Sequence, residues 1–191
     1  MEQKVLDRVV SREVSRRRFL ALGVGAAVTV LTGPGRAKAK AMREKALSLY
    51  NMHTGERLRT VYWCRAGYVP EALSDINHLL RDHRTGDVHR IEPRLLDLLY
   101  RLTKAVDTKK DYHVVSGYRS PATNAMLRSH GHGVARHSLH MQGKAIDIQL
   151  PGCDTSVLRR AALSLRAGGV GYYPGPEFVH VDVGRVRYWS G

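Results

Sequence analysis

The chain predicts an α+β domain, with helices packed on one face of an antiparallel sheet. Two observations carry this. First, Pro70 to Asp82 and Pro93 to Val106 repeat apolar residues at helical spacing: Ala72, Leu73, Ile76, Leu79 and Leu80, then Leu95, Leu96, Leu98, Leu99 and Leu102. Second, beyond residue 111 short segments alternate apolar and polar positions with the period of two that half-buried strands require. Helices first and strands afterwards segregate the helices to one face of the sheet.

The first element in order is not part of that fold. Ser15-Arg16-Arg17-Arg18-Phe19-Leu20 sets adjacent arginines ahead of an apolar stretch, Phe19 to Thr32, of about fourteen residues. A membrane-spanning helix needs roughly 20 apolar residues, so this stretch is short for a span. Gly33-Pro34-Gly35 and the small-residue run Ala37-Lys38-Ala39-Lys40-Ala41 follow it. A basic flank, a short apolar core and a small-residue exit describe a signal peptide. Ser-Arg-Arg-x-Phe-Leu matches the bacterial twin-arginine export signal. The expected division is a signal and linker over 1–41 and one domain over 42–191. Export would place the domain in the periplasm, or tethered to the inner membrane if the segment stays uncleaved.

The net charge of +14 is partly the signal's: nine of 31 Lys and Arg and three of 17 Asp and Glu lie in 1–41. In the domain 22 basic residues face 14 acidic ones. A surface of that sign favours polyanions. No helix-turn-helix-like segment, basic-aromatic ribonucleoprotein motif or Cys-pair finger accompanies it, so an anionic cell-wall polymer is expected rather than nucleic acid. About 150 residues suffice for one hydrophobic core. Cys64 and Cys153 are not in a CxxC pair and read as structural; an oxidising periplasm would allow a disulfide, and their spacing leaves open whether they meet.

Within the domain, Ala46 to Asn51, a turn at Thr54-Gly55-Glu56 and a strand through Thr60 to Trp63 read as a hairpin. The two helices follow, separated by the polar turn Arg84-Thr85-Gly86-Asp87. Tyr112 to Ser116 reads as a strand, Asn124 to Ser129 as a short helix, and Gly131 to Ser138 as a loop carrying glycine and histidine. Ala145 to Leu150 reads as a strand, Val157 to Ala167 as a basic amphipathic helix, Gly168 to Tyr173 as a turn and strand, and Phe178 to Val183 as a closing strand.

Two of these strands carry the chemistry. Ile146, Ile148 and Leu150 share the core face, so Asp147 faces the other way; Val179, Val181 and Val183 leave His180 and Asp182 together on the non-core face. His140 lies seven residues before Asp147, across a glycine-bearing segment that can fold back beside the strand. Two nitrogens and one oxygen on a rigid sheet suit a catalytic zinc ion, with the fourth tetrahedral position left for water. Spacing alone leaves an alternative open. An Asp on a polar strand face is commonly just solvated, and among ten histidines His130, His132 and His137 read as loop residues in water. The His-Glu-x-x-His helix of most zinc proteases is absent.

Ser138-Leu139-His140-Met141-Gln142-Gly143-Lys144-Ala145-Ile146-Asp147 resembles the Ser-x-His-x-x-Gly-x-Ala-x-Asp motif of the zinc D-alanyl-D-alanine peptidase superfamily. Ser116-Gly117-Tyr118-Arg119-Ser120 resembles its Ser-x-Tyr-Arg-Ser element, and Phe178-Val179-His180 its final histidine strand. The whole domain is similar to the murein endopeptidase K subgroup. The resemblance implies the Hedgehog/DD-peptidase fold and one Zn2+ per chain, held by His140, Asp147 and His180. It also implies that Arg119 binds substrate and the developing oxyanion, although by its residues alone Arg119 could simply pair with a carboxylate.

For the general base the resemblance offers two residues. Carboxypeptidase branches carry a Glu three residues before the last His and a Trp just before that His; Glu177 has the spacing, but Val179 replaces the Trp. Endopeptidase relatives carry His-x-His, where this chain has His180-Val181-Asp182. Asp182 would be the base or would orient a ligand, and His137 is a further candidate. The implied activity is that of an exported zinc endopeptidase cutting peptidoglycan cross-links between stem peptides, links involving meso-diaminopimelate. A D,D- or L,D-carboxypeptidase, or a wall-binding module without catalysis, are the alternative readings.

Overall fold

The hairpin forms as its alternation predicts: β1 (Lys45–Asn51) pairs antiparallel with β2 (Arg57–Cys64). The computed structural model describes residues 44–131 and 134–191, which belong to one unit, Lys40–Gly191. The expected signal segment over 1–41, and His132, lie outside the described residues. A two-residue β3 (Gly67–Tyr68) extends the sheet beyond β2. Then come α1 (Pro70–Leu79), α2 (Pro93–Ala105), β4 (Tyr112–Ser116), α3 (Pro121–His130) and a 3-10 turn at Leu139–Gln142. The chain ends with β5 (Ala145–Gln149), α4 (Thr155–Ser164), β6 (Gly169–Tyr173), β7 (Phe178–Asp182) and β8 (Arg187–Ser190). No described helix is long and apolar enough to cross a membrane.

The strands form one sheet in the order β3-β2-β1-β4-β5-β7-β6-β8. The α+β class stands, but the sheet is mixed rather than purely antiparallel: β1 pairs with β4, and β6 with β8, in parallel. The first parallel pair follows from α1 and α2, which form the crossover such a pair requires. The second follows from a short crossing. The chain leaves β7, passes over the start of β6 and lays β8 on its far side. Gly168 and Gly169, expected as a simple turn, make the crossing possible. A Cβ on Gly168 would run into the Asp182 carbonyl, and one on Gly169 into the Asp182 carboxylate and the Arg187 guanidinium.

One face of the sheet builds the core. Leu47, Leu49, Val114, Ile146, Ile148, Val179 and Val181 pack against Ile76, Leu95, Leu99 and Leu158 from the helices. Burying one leucine contributes ~1.5–3 kcal/mol. The five buried leucines of α2 therefore far outweigh its missing N-cap side chain, a loss of ~1 kcal/mol. Two buried tyrosines dock α2 on the strands: Tyr62 and Tyr112 donate to the Leu96 and Leu99 carbonyls, each at 3.2 Å.

Helix ends differ from expectation for local reasons. α3 starts a turn earlier than expected because Ser120 caps it, accepting from Thr123 N at 3.1 Å, with Pro121 in the first turn. α4 starts at Thr155 because Asp154 caps it, and it stops before Arg166, whose φ is +47°. α1 ends at Leu79 rather than Asp82, because the next residues serve the segment after β4. The Leu80 carbonyl accepts from Tyr118 N at 2.8 Å, and buried Asp82 accepts from Ser120 N at 2.8 Å and Arg84 N at 2.9 Å. Cys64 and Cys153 are both free thiols.

Burial works to raise the Asp82 carboxyl, but hydrogen bonds from Thr123, Ser120 and Arg84 hold it well below the usual carboxylate range. A depressed pKa contributes stability that is present above the ordinary value near 4 and is lost as pH falls through the folded value. Asp82→Asn is expected to cost ~2–3 kcal/mol at pH 7 in urea unfolding, with the gap to wild type narrowing below pH ~4. A gap of constant size across pH would show that the carboxylate's charge is not what holds the 118–120 segment.

Candidate metal centre

The antiparallel register of β5 with β7 sets Asp147 directly opposite His180. Both side chains leave the sheet on the face away from the helices, as alternation predicts, and both are buried. His140 arrives from the 3-10 turn, which Ser138 starts by accepting from His140 N and Gly143 ends in the left-handed conformation at φ +63°. A Cβ on Gly143 would strike the Arg90 carbonyl, so the motif glycine is required both by its φ and by space.

The three side chains meet. His180 Nδ1 lies 2.8 Å from Asp147 Oδ1, His140 Nε2 lies 3.3 Å from that oxygen, and the two ring nitrogens are 3.1 Å apart. Ligand atoms ~2.0–2.1 Å from a tetrahedral ion stand about 3.3 Å from one another. The triangle therefore has the size of one face of a metal tetrahedron. Among the described residues no other group of three His, Cys, Asp or Glu side chains converges in this way.

Hydrogen bonds pointing away from the triangle set the donor chemistry. His140 Nδ1 donates to the Gly117 carbonyl at 2.7 Å, which leaves a lone pair on Nε2 facing inward. Burial holds the His140 pKa below its ordinary value, favouring this neutral form. On the other ring His180 Nε2 donates to Asp182 Oδ2 at 3.2 Å, so Nδ1 faces the triangle. Burial alone would lower the His180 pKa, but Asp147 and Asp182 on its two sides raise it to about 9. A dication seated among the same groups would compete with that proton. Burial also works to raise Asp147, yet the adjacent His140 and His180 imidazoles hold its carboxyl well below the ordinary range. Inward lone pairs and an anionic oxygen fit a divalent cation.

Asp182 is fully buried and saturated. Besides His180, its carboxylate accepts from Gly169 N at 2.9 Å, from Gly184 N at 2.8 Å, and from both terminal nitrogens of Arg187 at 3.1 and 2.7 Å. Burial opposes its ionisation, but the His180 and Arg187 bonds outweigh this and hold the pKa well below the usual range. Of the two roles open to Asp182 from sequence, the geometry suits the one that orients His180.

The triangle opens on a hollow of about 540 Å³, whose lining includes Arg119, His137, Tyr173, Phe178, Arg187 and Trp189. Arg119 is pinned through its backbone, its N–H donating to the His140 carbonyl at 3.3 Å. Its guanidinium reaches Ser116 Oγ at 3.4 Å and Asp147 Oδ2 at 3.5 Å, both long contacts. A register shift between Val114 and Ser116 puts Ser116 opposite Asp147 and so starts this segment in place. His137 is exposed at the hollow.

Glu177 is not brought to the triangle. It is exposed, has φ +58°, and lines a different hollow with His113 and Gln149. Its three-residue spacing from His180 does not translate into proximity, because a left-handed residue at the strand entry turns it aside. Sequence reading missed Asp82, Arg187 and Trp189. The last two lie on a strand whose signal, the β-branched and aromatic run Val186-Arg187-Tyr188-Trp189, is present in the sequence.

Known proteins resemble this chain over nearly its whole length. A family profile described as peptidoglycan L,D-endopeptidase MepK matches residues 39–189. The peptidoglycan L,D-endopeptidase MepK of Escherichia coli strain K12 is 43% identical over 178 residues, covering 93% of this chain and 98% of that protein. The probable peptidoglycan L,D-endopeptidase MepK of Haemophilus influenzae is 37% identical over 179 residues, covering 93% and 96%.

If Asp182 orients His180, Asp182→Asn should weaken divalent-metal affinity by about 10- to 100-fold in chelator competition. Activity at saturating metal should then largely recover. Full metal affinity with lost turnover would make Asp182 a proton carrier instead.

Proposed function

The chain belongs to the peptidoglycan L,D-endopeptidase MepK family, and on that premise we propose that it is an exported zinc endopeptidase hydrolysing peptide cross-links of peptidoglycan. The carrying observation is the convergence of two imidazole nitrogens and one carboxylate oxygen within 2.8–3.3 Å of one another. Zinc is the metal we assign, because two nitrogens and one oxygen form a common catalytic zinc set. Held by His140, Asp147 and His180, it would keep one position for water, lower that water's pKa towards ~7 and polarise the scissile carbonyl.

The protein's own groups do the rest. Gly117 and Asp182 hold the two imidazoles in their tautomers and orientations. Arg119 keeps donors that its two long contacts do not satisfy, and these would bind a substrate carboxylate or the oxyanion that develops at the carbonyl. For proton transfer we assign His137. It lines the hollow, whereas Asp182 is saturated and Glu177 faces elsewhere.

The relatives are named L,D-endopeptidases, and we extend that bond type to this chain, with meso-diaminopimelate as the residue at the link. Peptidoglycan puts the site of action in the cell envelope. The Ser-Arg-Arg-x-Phe-Leu signal supports twin-arginine export to the periplasm, with inner-membrane attachment if the segment is retained. Stem peptides are the partner this reading requires.

Purified sacculi incubated with the zinc-loaded mature domain should release monomeric muropeptides. Chelator should stop the release, zinc should restore it, and His140→Ala should abolish it. Loss of a single terminal residue would mean a carboxypeptidase, and binding to sacculi with an unchanged muropeptide profile would mean a wall-binding module. The His137 assignment has its own check: His137→Ala should lower kcat by about 10²- to 10⁴-fold with zinc content unchanged. An equal loss in Glu177→Gln, with His137→Ala active, would return the role to Glu177.

A further inference from the structure

The hollow has a wall that this hydrolysis leaves unused. β8 carries Trp189 to it, with the indole centroid 5.1 Å from the His180 ring at 51°. The indole N–H donates to the Tyr173 hydroxyl at 2.9 Å, and Tyr173 stacks on Phe178 at 4.5 Å and 19°. Trp189 pairs in register with Gly171, where an added Cβ would lie 2.7 Å from the indole. The glycine leaves room for the ring to lie against the β6 backbone. Trp189 is only half-buried, so a large ring fixed by a hydrogen bond keeps part of its surface open beside the metal ligands. Across the triad's ligands the same hollow offers the Arg119 guanidinium, with no described partner closer than 3.4 Å.

A fixed apolar surface and an under-satisfied cation in one hollow suit a ligand that carries methylene groups and a carboxylate together. We propose that Trp189, held by Tyr173 and given room by Gly171, is the substrate-positioning residue of the site. Its ring takes the aliphatic chain of the diamino-acid residue at the cross-link, while Arg119 takes that residue's carboxylate. The proposal rests on the peptidase reading above. It also explains why Val179 can stand before His180 without leaving the site bare of aromatic surface: the ring comes from another strand.

The test uses the zinc-loaded domain. Trp189→Ala should raise KM for cross-linked dimers by about 10- to 50-fold with kcat within about 3-fold, and Trp189→Phe should recover most of the loss. A binding readout keeps Trp189 in place. The chain has two tryptophans, so Trp63→Phe leaves Trp189 as the sole emitter. Titration with the uncross-linked tripeptide stem ending in meso-diaminopimelate should shift indole emission to the blue and saturate. A folded Trp189→Ala with unchanged KM, or emission indifferent to the peptide, overturns the proposal. So does a variant that loses kcat and zinc affinity together at constant KM, since the ring would then only prop His180. A wild type that cleaves no cross-linked dimer sinks the peptidase reading separately. In that event a saturating emission response still supports the ring as a peptide-binding surface, and its absence overturns it.

Discussion

A buried carboxylate 2.8 Å from a buried imidazole across two antiparallel strands is the constraint around which the molecule is arranged. Asp147 and His180 are both removed from water, and an isolated ionised carboxylate in such a place would cost many kcal/mol. The carboxylate stays charged because the raised His180 imidazole pairs with it at 2.8 Å and Arg119 stands nearby. Register is equally demanding. A slip of one residue between β5 and β7 would turn Asp147 into the core and Ile148 out of it, so the hydrophobic pattern itself enforces the meeting of the two side chains.

The two faces of the same strands have different tasks. On one, Ile146, Ile148, Val179 and Val181 bury against the helices and supply stability. On the other, the polar side chains at intervening positions converge on a shared point and leave donors and lone pairs unspent. Such groups weaken a fold. A rigid sheet with a large apolar core on its opposite side tolerates them, and it also holds the ligands with the precision a metal centre requires. The shift between Val114 and Ser116 is a local irregularity in the ladder, and it aims the segment carrying Gly117 and Arg119 at the triangle.

How much of this was readable in the chain depends on how each residue is positioned. Asp147 and His180 follow from strict alternation in their strands, which physics translates directly into facing. His140 does not, because it rides on a 3-10 turn whose direction no periodicity encodes; its place came from resemblance to a known motif. Helices Pro70–Leu79 and Pro93–Ala105 were legible from apolar spacing, to within a turn. Asp82 was not, since it acts 38 residues away, on Ser120 N. Glu177 illustrates the opposite failure: spacing matched a familiar pattern, but one left-handed φ sent the side chain to another hollow. The parallel placement of β8 was hidden because it depends on two glycines permitting a crossing rather than on any pattern within β8.

That crossing links the end of the chain to the chemistry. Asp182 is the last residue of β7, and its carboxylate meets backbone donors on both sides of the crossing, Gly169 N and Gly184 N, together with the Arg187 fork. One buried side chain thus fastens β6, β7 and β8 at a single point and turns its remaining acceptor capacity to His180 Nε2. Because the opposite nitrogen of His180 faces the triangle, any loosening of β8 would reach that nitrogen as a rotation of the ring. The same strand sets Trp189 against Gly171, so ligand orientation and the aromatic wall are coupled through four residues, Arg187–Ser190, at the open edge of the sheet. An edge strand therefore bears on both the orientation of the His180 ring and the aromatic surface beside it.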